Sequence, residues 1–288
     1  MGVALQASDE QVKLWNGAAG RAWVETRELL EGMFRPLEEL LVEAVSDAAA
    51  SRVLDIGCGT GATTFAVARV LGGRQGHCTG IDISEPMIAA GRARAEREGR
   101  PVSFICADAQ TYPFAPASFD MIISRLGVMF FADPVQAFAN LRRAARPGAA
   151  LRFIAWRGAA ENPFMTTAEQ AAKPLLPDLP ARRPDAPGQF GFADRKRVET
   201  ILEHSGWYAI AIEPVDVALR FPASELTRYV SWLGPVGTML QAMEEPRRTQ
   251  VIETVRGAFD RYIHGNDIRF TAACWMVAAR APAATTHG

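Results

Sequence analysis

The chain has 288 residues, and 31 Lys+Arg against 32 Asp+Glu leave a net charge of -1, which excludes a polyanion binder by bulk charge. With 49% hydrophobic and 22% charged residues, it can bury a sizeable core and lacks the low-hydrophobicity, high-charge signature of disorder. Cys58, Cys78, Cys106 and Cys274 form no C-x-x-C pair, so no metal site or disulfide framework is expected and a cytoplasmic setting is.

The N-terminus MGVALQASDE has no basic stretch followed by an apolar run, and no segment reaches the ~18 apolar residues of a membrane span, so neither secretion nor membrane insertion is expected. Residues 9–50 carry apolar side chains at helical spacing, with Asn16-Gly17 and Gly20 interrupting them. From residue 51, short apolar runs alternate with amphipathic stretches, the pattern of strand–helix units. The strands fall at Arg52 to Ile56, His77 to Ile83, Val102 to Cys106, Met121 to Ser124 and Leu151 to Trp156. Between them the helices are Ala62 to Leu71, Pro86 to Glu98 and Pro134 to Ala145, the last stopped by Arg146-Pro147-Gly148. Such alternation folds as a doubly wound parallel α/β sheet.

Residues 157–193, with prolines at 163, 174, 177, 180, 184 and 187, read as a long covering loop. Loops of that length in compact domains are usually functional. Asp194 is placed to cap a helix reaching His204, Trp207 to Ile212 reads as a sixth strand, and Phe270 to Ala278 as the last. Between those two strands come helical patterns near Ser224 to Leu233, Val236 to Met243 and Pro246 to Ile263, a lid or dimer element. The tail from Ala281 is small and polar and expected to fray.

Chemistry concentrates in VLDIGCGTG, Val53 to Gly61: a strand ending at Asp55, then Gly57-Cys58-Gly59-Thr60-Gly61, then a helix. Glycines there let the backbone turn tightly and approach a ligand at the carboxyl edge of the sheet. The spacing is G-x-G-x-G behind an acid, whereas dinucleotide sites use G-x-G-x-x-G. A pyrophosphate wants a helix N-terminus without a carboxylate beside it, while a ligand carrying ammonium and sulfonium charges accepts Asp55. S-adenosylmethionine is therefore favoured over NAD. The second strand ends in GIDIS, where Asp82 can accept both ribose hydroxyls and Ile83 and Met87 face the adenine. The third ends at Cys106-Ala107-Asp108-Ala109, where Asp108 and the Ala109 amide can read the adenine edge. Asp55 and Asp108 taken singly also read as helix caps; Asp82 in register with them makes one constellation.

These motifs, with FDMIISRLGVMFFADP after the fourth strand, resemble class I S-adenosylmethionine-dependent methyltransferases, of the group similar to ubiquinone/menaquinone-biosynthesis C-methyltransferases. The resemblance covers about Ser51 to Trp156. It implies that Gly57, Gly59 and Gly61, with Cys58 between them, wrap the methionine part. Asp82 would hold the ribose, Asp108 and Ala109 the adenine, and the Ser124 main chain the amino-acid end. It also implies a Rossmann-like sheet of seven strands in the order 3-2-1-4-5-7-6, the last antiparallel. The expected organisation is a helical N-terminal lid (1–50), a cofactor-binding core (51–156), a covering loop, helix and sixth strand (157–213), a helical insertion (214–267) and the last strand (268–280).

Trp23, and Trp15 across the Asn16 to Gly20 joint, read either as aromatics closing over cofactor and substrate or as core tryptophans. Met129, Phe130 and Phe164 read as an apolar substrate pocket or as core, and Arg125 as a steering charge for an anion or half of a structural ion pair. Asn162-Pro163-Phe164 resembles the Asn-Pro-Pro-aromatic motif of nucleic-acid amino-methyltransferases, but it does not follow the fourth strand and lacks the second proline. No basic run interleaves with aromatics, so a nucleic-acid partner is not expected. Candidate general bases are His264, Tyr229 and Glu161, from the covering segments. The sequence thus reads as a cytoplasmic methyltransferase of a small apolar or aromatic molecule, a possible homodimer, with no metal. The alternatives are a cofactor-binding protein of the same fold catalysing a step such as cyclisation, and a nicotinamide oxidoreductase.

Overall fold

The computed structural model describes residues 2–182 and 186–283. Pro184 and the end of the polar tail lie outside them. Helices α1 (Gly2–Asn16), α2 (Ala18–Glu25) and α3 (Arg27–Asp47) come first. Their breaks fall at Gly17 and Thr26; Gly20, expected to interrupt, is buried inside α2.

The sheet contains β1 (Arg52–Ile56), β2 (His77–Asp82), β3 (Val102–Cys106), β4 (Phe119–Arg125), β5 (Ala145–Trp156), β6 (Tyr208–Pro222), the two-residue β7 (Ile263–His264) and β8 (Asp267–Arg280). Its order is β3-β2-β1-β4-β5-β8-β6, with β7 paired only to β8. β8 runs antiparallel to both neighbours, and the other main pairings are parallel. With β7 set aside, this is the expected seven-strand order. β1 is central and buried on both faces, as crossover helices require. Successive residues alternate sides: Val53, Met121 and Ile123 meet Val45 of α3 and Val67 of α4 (Ala62–Leu71). Leu54 and Ile122 belong to the larger core with Phe138 and Leu141 of α6 (Pro134–Ala144) and Val198 and Ile201 of α8 (Arg195–His204).

Caps fix where these helices start. Asp133 accepts the Gln136 amide at 2.9 Å ahead of α6, and Asp194 accepts the Lys196 and Arg197 amides ahead of α8. α5 (Glu85–Glu98) connects β2 to β3, and α7 (Phe164–Ala172) lies in the covering segment.

Three boundaries differ from expectation. β6 runs to Pro222, so the helical insertion begins not at 214 but after the strand, as α9 (Leu226–Trp232), α10 (Gly234–Leu240) and α11 (Arg247–Ala258). Pro214 obscured the alternation Val215, Val217, Leu219, Phe221, yet β6 is an edge strand, where a missing N–H is tolerated. The helix before Arg146-Pro147-Gly148 ends at Ala144, as expected to within a residue, but that tripeptide belongs to β5, where it forms a bulge between the pairs Phe119–Ala145 and Met121–Ala150. Ala281 does not fray: it is buried, donates to Ala149 O at 2.9 Å and accepts from Gly148 N at 3.0 Å. No helix among the described residues is long and apolar enough to cross a membrane.

Candidate active site

One cavity opens at the carboxyl ends of β1, β2, β3 and β4 and is roofed by the N-terminal helices and the insertion after β6. On its floor lie Gly57, Cys58, Gly59, Thr60, Asp82, Ile83, Met87, Asp108 and Ala109. The glycine turn is shaped by close backbone approach. Gly57 has φ +63°, and a Cβ there would lie 2.7 Å from the Gly127 Cα beyond β4. Only glycine suits both constraints.

Asp82 is buried, with Oδ2 accepting the Gly59 amide at 2.8 Å and Oδ1 the Ser84 amide at 2.9 Å. Burial raises its carboxyl above the ordinary value, and the amide donors oppose that rise. Each oxygen has a second lone pair, so the carboxylate is oriented by the protein while retaining accepting capacity. Asp108 Oδ1 accepts the Gln110 amide at 2.8 Å. Asn140 anchors the same turn by donating to Ala109 O and Tyr112 O, both at 2.9 Å.

Three expected floor residues are not in the cavity wall. Asp55 is 1% exposed and accepts Thr64 Oγ1 at 2.7 Å behind the turn. Burial lifts its carboxyl to about 7, against the Thr64 donor and the field of Arg125. The expected contact of Asp55 with a ligand ammonium is therefore corrected; the glycine spacing carries the argument alone. Gly61 caps α4 at φ +89°, and its missing side chain admits Phe104, whose ring carbon a Cβ would meet at 2.6 Å. Ser124 points into the sheet, donating to Ile56 O at 2.8 Å and accepting the Gly127 amide at 3.2 Å, which ties the β4 turn to β1.

The roof is aromatic. Trp15 meets the Phe130 ring edge-on at 5.0 Å and Trp23 at 6.3 Å; Trp23 stacks on Phe34 at 6.2 Å, and Phe34 continues through Trp156 to Phe164. Trp15, Trp23, Met129, Phe130 and Phe164 all line the cavity, as does Arg125. The Arg125 guanidinium lies over the Phe34 ring, 5.6 Å from its centroid. Burial depresses its pKa, and its Nη1 is buried with no hydrogen-bond partner.

Sequence reasoning missed the clasp that holds this roof to the floor. Asn16 Nδ2 donates to Ile83 O at 3.0 Å, its Oδ1 accepts the Glu85 amide at 2.8 Å, and Ser84 Oγ donates to Trp15 O at 2.7 Å. Three consecutive residues after Asp82 thus grip the joint between α1 and α2. Asn16-Gly17 signalled a break, and nothing local signalled its partner. The wall also includes Phe34, Trp156, Glu169, Arg182 and Val236, which only long-range packing brings together.

The expected bases fare differently. Tyr229 lines the cavity, but its ring stacks on Phe221 at 4.9 Å and burial raises its phenol, which keeps the proton. Glu161 lies outside the wall, paired with Arg157 at 2.6 Å and held below its ordinary pKa by that partner. His264 is exposed in β7, also away from the wall.

Residues 53–148 match the family model of a methyltransferase domain. Aklanonic acid methyltransferase DauC of Streptomyces sp. (strain C5) is 40% identical over 108 residues, 37% of this chain and 49% of that protein. The matched part thus spans about half the length of that relative. Nocamycin O-methyltransferase of Saccharothrix syringae is 27% identical over 235 residues, 76% of this chain and 81% of that protein. The solved structure of YcgJ from Bacillus subtilis shares the fold, with a TM-score of 0.55 over 86% of this chain and 98% of that one at 18% identity. Together with the strand order and the glycine turn, the match over residues 53–148 shows that this part of the chain is similar to a methyltransferase domain.

Proposed function

We propose that the protein is a cytoplasmic enzyme that methylates a small, largely apolar or aromatic molecule at an oxygen atom. The observation that carries this reading is a cavity with two unlike halves: a floor of oriented acids and turn amides, and an aromatic roof. The name of one relative, an O-methyltransferase, supports oxygen as the acceptor atom, and that of the other, an aklanonic acid methyltransferase, supports a small acidic molecule as the acceptor.

The floor suits S-adenosylmethionine. Asp82, preoriented by two amides, would accept the ribose hydroxyls; Ile83 and Met87 would flank the adenine, Asp108 and Ala109 would meet its edge, and Gly57 to Gly59 would follow the methionine chain. The fit rests on a buried carboxylate with accepting capacity left and on the open backbone at Gly59, where an added Cβ would meet only the Met87 sulfur at 3.6 Å. When bound, that cofactor supplies an electrophilic methyl group on a sulfonium centre.

The chain's own residues then orient and dehydrate. Trp15, Trp23 and Phe130 cover the floor, and the Asn16 clasp keeps them there. Positioning of this kind can contribute up to ~7–11 kcal/mol to a displacement reaction, so an acidic oxygen nucleophile needs no strong base. That agrees with a wall in which, among the described residues, no histidine appears.

The test is incubation with S-adenosylmethionine carrying a deuterated methyl group and a panel of aromatic acids and phenols, read by mass spectrometry. Label in a product supports the reading. A product of unchanged mass would point to cyclisation or another step without methyl transfer, and no product across the panel together with no cofactor uptake would reject it.

A further inference from the structure

Resting on the methyltransferase reading, we infer that Arg125 is the anion seat of the acceptor pocket: it receives an acidic oxygen, such as a carboxylate or enolate, on the aromatic molecule to be methylated. The wall carries two cations among the described residues, Arg125 and Arg182. Arg182 is engaged, donating to both Glu169 oxygens at 2.9 and 2.5 Å and to Gln189 Oε1 at 2.8 Å. In the Arg125 guanidinium, by contrast, Nη1 is fully covered without an acceptor. A buried guanidinium N–H left without an acceptor is costly, and natural structures seldom keep one without a use.

The neighbouring acids do not satisfy it. Asp55 is committed to Thr64; Glu38 acts on Arg125 only through space, and burial raises the Glu38 carboxyl. The wall also contains Asp82, Asp108 and Glu169, so an acidic ligand entering it meets repulsion unless a cation receives it. The position favours acceptor over cofactor. The guanidinium lies over Phe34, whose ring packs against Trp23 and Trp156, which presents the charge among the aromatic walls. A planar fork over a ring suits a carboxylate attached to an aromatic system.

The probes are 1-naphthoate and its neutral isostere 1-naphthamide, titrated calorimetrically into the full chain saturated with S-adenosylhomocysteine. We expect naphthoate to bind at least tenfold tighter than naphthamide, Arg125→Gln to abolish that preference, and Arg125→Lys to restore part of it. The affinity for S-adenosylhomocysteine should change less than threefold in both variants. Equal binding of acid and amide by the unaltered protein, no binding of either, or a preference that survives Arg125→Gln overturns the inference. So does a tenfold loss of S-adenosylhomocysteine affinity in a folded Arg125→Gln protein, which would put Arg125 on the carboxylate of the cofactor. If Arg125→Gln does not melt cooperatively, the acid-over-amide preference of the unaltered protein and the Arg125→Lys variant decide. Failure to take up S-adenosylhomocysteine, with an Arg125-dependent preference for naphthoate intact, would reject the methyltransferase reading and leave the anion seat standing.

Discussion

The floor and the roof of the cavity are built by opposite means. The floor is a set of short turns, each directly following a strand, whose side chains are fixed by main-chain donors: Gly59 and Ser84 on Asp82, Gln110 on Asp108. The roof is drawn from α1 to α3, from α7 and from α9 and α10, and is held by ring packing and by one clasp of three hydrogen bonds. A ligand common to many enzymes can be met by local, rigid geometry. A ligand particular to one enzyme is met by surfaces that can be repacked without disturbing the sheet. The difference teaches that the two halves should respond separately to perturbation.

The largest expected effect lies beneath the floor. Burial keeps Asp55 protonated up to about pH 7, whereas the unfolded chain ionises near 3.8. The native state therefore binds more protons in that window, and stability falls as pH rises from about 4 to about 7, by at most about 4 kcal/mol. Asp55→Asn removes this fall. Denaturant unfolding at about pH 5 and about pH 8 should show the unaltered protein losing more stability than the variant; equal losses would mean that Asp55 is ionised in the native state. Next comes the turn itself. Gly57→Ala places a Cβ against Gly127 at positive φ and should cost about 3 kcal/mol. Gly59→Ala, with only the Met87 sulfur at 3.6 Å, should cost about 1 kcal/mol from its φ of +55°. Thermal melts that rank the two alike would break the distinction drawn between packing and ligand-facing glycines.

The smallest effect tests the boundary between the halves. Asn16→Ala removes both side-chain bonds to the Ile83 to Glu85 turn and should weaken S-adenosylhomocysteine binding roughly fivefold, about 1 kcal/mol, with little change in melting temperature. A large loss of stability without a loss of binding would make the clasp a part of the fold rather than of the lid.

The same contrast explains what the sequence made legible. Strand ends, glycine spacing and the acids at 82 and 108 are local signals, and the core order β3-β2-β1-β4-β5 was implied by the family resemblance they carry. Asp55 was placed on the wrong side of the turn because spacing along a strand gives position but not which way a side chain turns at its end. Thr64, in the first turn of α4, captured Asp55. Phe34, Trp156 and Val236 could not be read as cavity walls, since their placement depends on how α3, β5 and α10 pack. The β6 boundary was lost to one proline that an edge strand accommodates.

The central claim, that the floor is an S-adenosylmethionine site organised by Asp82, is tested most directly by calorimetric titration of the protein and of Asp82→Asn with S-adenosylmethionine, S-adenosylhomocysteine and NADH. The account predicts uptake of the first two and not of NADH, with binding weakened by about 100-fold in Asp82→Asn, as expected when charge-assisted hydrogen bonds to a buried carboxylate are lost. Equal affinity in the folded variant, or a preference for NADH, would contradict it.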